Sequence, residues 1–200
     1  MNLDTLIANR SRALEEYVLS LRRELHANPE LSLKEERTSA RVCAELEQMG
    51  IPFTRLADGC VAGVLQGGKP GKRLALRADM DALPIQEEND LPWRSRNDGV
   101  MHACGHDGHT AMLVGAARLL VELRAELAGE VVLCFQAGEE LGGGADTLIA
   151  HLEAIGGVDR ALAMHLWSEI PAGSISVMPG ARMAAVDAFD IEVTGRGGHG

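Results

Sequence analysis

Aromatic side chains are scarce: three Phe, two Trp and one Tyr make up 3% of the chain. Because 46% of the residues are nonetheless hydrophobic, any core must be mostly aliphatic. Cysteine occurs only four times, with no C-x-x-C pair. Cys43, Cys60 and Cys134 therefore read as small buried hydrophobes in a reducing cytoplasm rather than a disulfide framework. No apolar run approaches the ~20 residues of a membrane span. The opening Met1-Asn2-Leu3-Asp4 leads into a charged amphipathic stretch and not an apolar signal segment, so a cytoplasmic location is expected. Basic clusters are missing as well. A net charge of −10 argues against nucleic acid and against an anionic membrane surface as partners. There are no internal repeats and no low-complexity segments, and 200 residues suit one domain, or one plus the start of another.

Hydrophobic spacing outlines alternating helices and strands. Residues 4–27 carry Leu6, Leu14, Val18, Leu21 and Leu25 at helical spacing and end at Pro29. Residues 34–49 read as a second helix closed by Gly50. Strands are expected at 51–56 and 60–66, joined by the Asp58-Gly59 turn, and 67–72 is expected to be another turn. That glycine-rich turn is no phosphate loop, since its first glycine is misplaced and Arg73 stands where Ser or Thr is needed. A strand at 73–78, a long loop at 84–100, a helix at 108–127, a strand at 130–136, a helix at 145–153 and a strand at 160–164 follow. A loop as long as 84–100 inside a domain is often functional. Further strand patterns cover 173–178 and 186–194, the second running into Gly195-Arg196-Gly197-Gly198-His199-Gly200. That last element has nothing to pack on, so a second domain is expected to begin near 182 with only its first part present.

The chemistry concentrates in Met101-His102-Ala103-Cys104-Gly105-His106-Asp107-Gly108-His109, which packs a thiol, three imidazoles and a carboxylate into nine residues. Buried imidazoles and carboxylates are costly unless paired or metal-bound. Thiolate plus imidazole is a ligand set that suits zinc and its neighbours. Three short apolar runs end in further ligands: 73–78 runs into Asp79 and Asp81, 130–136 into Glu139 and Glu140, and 160–164 into His165. In open α/β sheets, ligands bind just beyond the carboxyl ends of strands, where all five residues would stand. Adjacent Glu139 and Glu140 would diverge in extended geometry, one towards a metal and one towards a substrate. Asp107 and His109 start a helix, where an acidic residue is ordinary terminal chemistry. His26 and His151 read as structural or surface residues, and the methionines as core fillers.

In this order, Arg77-Ala78-Asp79-Met80-Asp81-Ala82-Leu83-Pro84, Met101 through His109, Phe135-Gln136…Glu139-Glu140 and Gly195…His199-Gly200 resemble the dinuclear-metal amidohydrolases of the aminoacylase and carboxypeptidase superfamily. The likeness is to the branch of hippurate hydrolases, N-acyl-amino-acid deacylases and indole-acetyl-amino-acid hydrolases. His26…Asn28-Pro29-Glu30-Leu31-Ser32 also fits that branch. The resemblance implies an α/β catalytic domain over 1–181, zinc-exopeptidase-like, with a mixed central sheet flanked by helices. Residues 182–200 would begin a smaller α+β lid and dimerisation domain. It implies two divalent ions (zinc or manganese, with nickel and cobalt also compatible) held by Cys104, His106, Glu140 and His165. Glu139 would be the general base, Asp81 a carboxylate that orients the site, and His199 the lid histidine that reaches a substrate carbonyl. Asp79 stands where related enzymes place a metal-binding His, and one further His ligand would lie beyond Gly200. The expected reaction is hydrolysis of an N-acyl amino acid by a homodimer or homotetramer. The branch usually reads Phe-Gln-Pro-Ala-Glu-Glu, and the lost proline is expected to loosen the turn before the base. Three rivals stand beside this reading. A truncated or inactive metal-binding homologue would bind metal and hydrolyse nothing. A zinc-stabilised structural module is argued against by the spare Glu139. A zinc deaminase would need a Pro-Cys-x-x-Cys element that is absent.

Overall fold

In a computed structural model the chain forms two compact units, Met1–Leu166 and Trp167–Gly200. The structure describes residues 2–181, 183, 185, 187 and 189–199. Five strands lie in the first unit: β1 (Phe53–Arg55), β2 (Val61–Gln66), β3 (Lys69–Asp79), β4 (Ala128–Gln136) and β5 (Arg160–Ala163). They form one sheet in the order β1-β2-β4-β3-β5. β1 pairs with β2, and β2 with β4, antiparallel; β3 runs parallel to both β4 and β5. The sheet is therefore mixed, as expected.

β4 sits in the middle because Val131-Val132-Leu133-Cys134-Phe135 is an uninterrupted apolar run, which only a strand covered on both faces can bury. Phe135 is the one aromatic in the buried core of the described residues, with Leu, Val and Ala filling the rest. The helices are α1 (Leu3–Ala13), α2 (Glu15–His26), α3 (Glu36–Gln48), α4 (His106–Glu122) and α5 (Ala145–Ala154). α3 packs on β1 and β2, α4 on β3 and on α2, and α5 on β4. Glu45 of α3, 2% exposed, binds Arg41 of its own helix and Arg118 of α4.

The parallel strands position the site. The chain leaves β3, returns through α4 to β4 on one side, then crosses through α5 to β5 on the other side. The carboxyl end of β3 is thus a switch point, where loops part and leave a crevice. The loop 84–100 has no regular structure. It is fastened by Arg96 N–H to Ala27 O (3.0 Å) and Asn97 Nδ2 to Pro29 O (2.7 Å).

Several expectations need correction. Residues 4–27 are two helices, because the chain turns at Leu14, whose N–H bonds back to both Arg10 O and Ser11 O. Residues 69–72 belong to β3 and not to a turn, with a register shift between Lys69 and Arg73. The glycines there serve close approach, since a Cβ on Gly67 would strike the Leu127 backbone. α4 begins at His106, two residues before the expected start, directly after Gly105 in a left-handed conformation. The second unit has no helix or strand among its described residues. The strand expected at 173–178 is absent: Ile175 and Val177 are 78% and 86% exposed. An extended segment becomes a strand only when another ladders with it, and 173–178 belongs to no ladder among the described residues. Of the 186–194 pattern, Phe189, Ile191 and Val193 are likewise exposed and unladdered, while Val186 and Ala188 lie outside the described residues.

Candidate metal centre

Each element delivers its residues to the carboxyl edge of the sheet. β3 ends at Asp79, and Asp81 follows it. α4 opens with His106, so its first turn presents His106, Asp107 and His109. β4 ends at Gln136, and a single 3₁₀ turn, Glu139–Leu141, carries both glutamates. His165 follows β5. His106 is the centre. Its Nδ1–H donates to Asp81 Oδ1 at 3.0 Å, which fixes Nε2 as the lone-pair nitrogen. Nε2 lies 3.7 Å from Asp79 Oδ2, 3.7 Å from Glu140 Oε1 and 3.9 Å from Glu139 Oε2. Cys104 Sγ lies 3.5 Å from His165 Nε2, and His165 Nδ1–H donates to Leu166 O at 2.5 Å.

Asp79, Asp81, Cys104, His106, Glu139, Glu140 and His165 are therefore brought together, whereas His199 belongs to the second unit. The expected divergence of Glu139 and Glu140 in extended geometry is wrong. They sit on a 3₁₀ turn, and both carboxylates approach one imidazole nitrogen. Glu139 is nevertheless the more open, with its side chain 39% exposed against 22% for Glu140. The turn before them is not loosened by the missing proline. Ala137 N–H donates to Cys60 Sγ (3.2 Å), Gly138 N–H to Glu35 Oε1 (2.7 Å) and Gly143 N–H to Gly138 O (2.7 Å). The first of these bonds uses an N–H that proline lacks.

The electrostatics are those of a cation site. Burial pushes the Asp79 carboxyl up, but the His109 hydrogen bond and the charges of His106 and Arg77 outweigh it and hold it at about 2. Burial also works against Asp81, and hydrogen bonds from His106, Ser32 and the Glu140 N–H bring it below its ordinary value. Burial would lower His106, but Asp81, Asp79 and Glu140 raise it. Glu139 is raised, first by burial and then by the charges of Asp79 and Glu140. Burial and the neighbouring Glu140 push the Cys104 thiol up to about 12. A divalent ion would invert that logic and favour thiolate.

Two buried atoms in the cluster make no hydrogen bond among the described residues, His106 Nε2 and Glu140 Oε1. Such orphans are expensive. Their separation of 3.7 Å is too long for a hydrogen bond. Two ligands about 2.1 Å from one tetrahedral ion stand roughly 3.4 Å apart, so the residues present fit a metal. Three groups have ligand atoms within 4.8 Å of one another: Cys104-His106-His165, Asp79-His106-His109 and His106-Glu139-Glu140. The second fits least well. His109 is spent, with Nδ1–H on Asp79 Oδ1 (2.6 Å) and Nε2 accepting the Leu166 N–H (2.8 Å).

Sequence reasoning missed a supporting layer. His26 is buried, with Nδ1 2.9 Å from Asp107 Oδ2 and Nε2 3.1 Å from Glu87 Oε1. Two carboxylate partners make it a doubly protonated tie between α2, the long loop and the start of α4. Its only sequence signal was its place in the His26…Ser32 motif. His102 is buried beside it, and burial drives its imidazole down to about 4. A cleft of about 570 Å³ lies at the opposite, amino end of the parallel strands. Its Arg73 is committed to Glu130 and to the carbonyls of Ile155 and Gly157.

The chain is also similar to known proteins. The N-acyl-L-amino acid amidohydrolase of Geobacillus stearothermophilus is 48% identical over 185 residues, 92% of this chain and 50% of its own length. Thermostable carboxypeptidase 2 of Saccharolobus solfataricus is 44% identical over 207 residues, 100% of this chain and 52% of its own. The chain thus spans about half the length of the curated relatives it matches. The crystal structure of the Bacillus subtilis YXEP protein, described as a dinuclear metal-binding peptidase of the M20 family, superposes with a TM-score of 0.76 at 40% identity. That match covers 81% of this chain and 46% of the other. Residues 75–199 also match a family profile whose span takes in the whole cluster from Asp79 to His165: the chain belongs to peptidase family M20/M25/M40.

Proposed function

We propose that the protein is a metal-dependent amidohydrolase that cleaves N-acyl amino acids, hippurate-like or N-acetylated, into a carboxylic acid and an amino acid. The observation that carries the reading is the pair on the 3₁₀ turn: Glu140 offers an orphaned oxygen to the buried cluster while Glu139 beside it stays open. A structural metal site has no use for the second carboxylate. Named relatives that deacylate N-acyl amino acids support the substrate class.

Cys104, His106, Glu140 and His165 would hold two divalent ions, zinc or manganese, with nickel or cobalt also suited to this donor set. Bound ions would supply Lewis acidity to a carbonyl and bring the pKa of a water down towards ~7. The protein's own residues do the rest. Asp81 holds His106 in the tautomer that turns Nε2 to the cluster. Glu139 Oε2 takes the proton of the attacking water and passes it to the leaving nitrogen. Residues 1–181 form the catalytic domain, and 182–200 open a lid and dimerisation domain whose His199 donates to the substrate carbonyl. The assembly is a homodimer or homotetramer, and the location cytoplasmic. Among the described residues no helix is long and apolar enough to cross a membrane.

The test is turnover of a panel of N-acetyl- and N-benzoyl-amino acids by the metal-reconstituted complete gene product beside Glu139→Ala. Activity lost in the variant with metal still bound is the expected result. Equal activity in both proteins would remove Glu139 as base. A full metal complement with no turnover in either would point to a metal-binding homologue without catalysis.

A further inference from the structure

The connection between α2 and α3 carries features that fold stability alone would not select. Glu35 is 3% exposed, and its Oε2 is buried without a hydrogen bond among the described residues. A buried carboxylate with an orphaned oxygen costs stability. Two residues earlier, Leu33 has φ +62°, the only positive φ at a non-glycine among the described residues. For a bulky L-residue that conformation costs about 1–2 kcal/mol. Strained backbone and unsatisfied groups gather where a geometry is held for function.

Both costs fall on the same object, the turn that carries Glu139 and Glu140. Glu35 Oε1 accepts the Gly138 N–H at 2.7 Å. Leu33 lies over that turn: a Cβ on Gly138 would stand 2.5 Å from Leu33 Cδ2, and one on Gly143 would stand 3.2 Å from it. Ser32 Oγ donates to Asp81 Oδ2 at 2.7 Å, the oxygen that also receives the Glu140 N–H at 2.9 Å. Leu31 adds a parallel bridge to Ala82, whose N–H donates to Glu30 O. Residues 31–35 thus meet the turn at its entry and exit, reach the Glu140 N–H through Asp81, and hold the segment just after β3 as well.

We propose that Glu35 is a positioning residue for Glu139 and Glu140, acting through the Gly138 N–H with Leu33 as its wedge. The proposal rests on the reading of those glutamates as base and ligand. Glu35 touches neither substrate nor metal. Its hydrogen bond sets where the turn begins, and a misplacement of about 1 Å at a reacting group can cost on the order of 10²-fold in rate.

The experiment compares Glu35→Ala, which removes the acceptor, with Glu35→Gln, which keeps a carbonyl oxygen for the Gly138 N–H. Cobalt is titrated into the complete gene product and followed by its visible absorption, and kcat and KM are measured on an N-acyl amino acid. Glu35→Ala is expected to shift the cobalt band and weaken cobalt binding about tenfold. It should lower kcat on the order of 10²-fold with little change in KM. Glu35→Gln should return the band and most of the rate. Leu33→Gly covers the case in which Glu35→Ala fails to fold: glycine relieves the strain, so melting temperature holds or rises while the cobalt band still moves. An unchanged cobalt band in Glu35→Ala or in Leu33→Gly overturns the proposal. So does an equal loss in Glu35→Ala and Glu35→Gln that tracks melting temperature. Because the band needs no turnover, it decides the matter even if the protein hydrolyses no amide.

Discussion

Replacing Asp81 with asparagine tests the site at its tightest point, because all three partners of this carboxylate are donors. His106 Nδ1–H reaches Oδ1 at 3.0 Å, while Ser32 Oγ–H and the Glu140 N–H reach Oδ2 at 2.7 and 2.9 Å. Asparagine has one acceptor oxygen and one NH₂ group. If its oxygen keeps Ser32 and Glu140, its NH₂ faces His106. The imidazole can then accept at Nδ1 by moving its proton to Nε2, and all three bonds survive. The metal-free fold should therefore barely notice, with a melting temperature within a few degrees. The metal should notice, since a protonated Nε2 has no lone pair to give. Restoring the useful tautomer would set two donors against each other, at a cost of about 1–3 kcal/mol. That is roughly a 5- to 150-fold loss of affinity. Competition for zinc against a chromophoric chelator, together with melting curves of the metal-free protein, measures both quantities. Affinity within twofold of the parent, or affinity and melting temperature falling together, would refute the tautomer argument.

Three further outcomes follow from the geometry. Gly142 and Gly144 share a left-handed φ, +69° and +74°, but a Cβ meets open space at 142 and the Ala137 carbonyl and Cys60 Sγ at 144. Gly142→Ala should cost about 1 kcal/mol, and Gly144→Ala about 1–3 kcal/mol more by denaturant titration; equal costs would show that the clash relaxes freely. Burial pushes the Glu45 carboxyl up, but Tyr17, Arg41 and Arg118 outweigh it and hold it below its ordinary value near 4.5. Its contribution is complete above that pH and lost as pH falls through the lower folded value, so Glu45→Gln should flatten the acid limb of melting temperature against pH and cost about 1–3 kcal/mol at neutral pH. Cys104→Ser exchanges a soft donor for a hard one, and should weaken zinc binding at least about tenfold more than manganese binding in parallel titrations.

Much of the site was legible because strands ending in ionisable residues announce themselves. Runs such as Val131–Phe135 have no reason to stop at Glu139-Glu140 unless the chain is leaving the sheet. The alternation with helices then placed those ends on one edge. What stayed hidden depends on partners remote in sequence. Nothing at Leu14 signals a break, since leucine is a good helix former and the turn is set by how the two helices pack. The single 3₁₀ turn at Glu139–Leu141 depends on Gly138 taking a left-handed conformation under Leu33 and Glu35, more than 100 positions away. The β3 extension through Lys69–Lys72 was masked by glycines that look like a turn and serve close packing. Nothing in the sequence marks Glu35 and Glu87 as buried, because burial of a carboxylate has no local signature.

His106 stands in all three groups near enough to hold an ion, yet Asp81 has taken one of its two ring nitrogens. A single lone pair serves a single ion. A second ion would have to take its nitrogen elsewhere, and His165 Nε2, 3.5 Å from the Cys104 sulfur, lies beside the cluster. Two seats would therefore divide two imidazoles between them, one on the first turn of α4 and one just beyond β5.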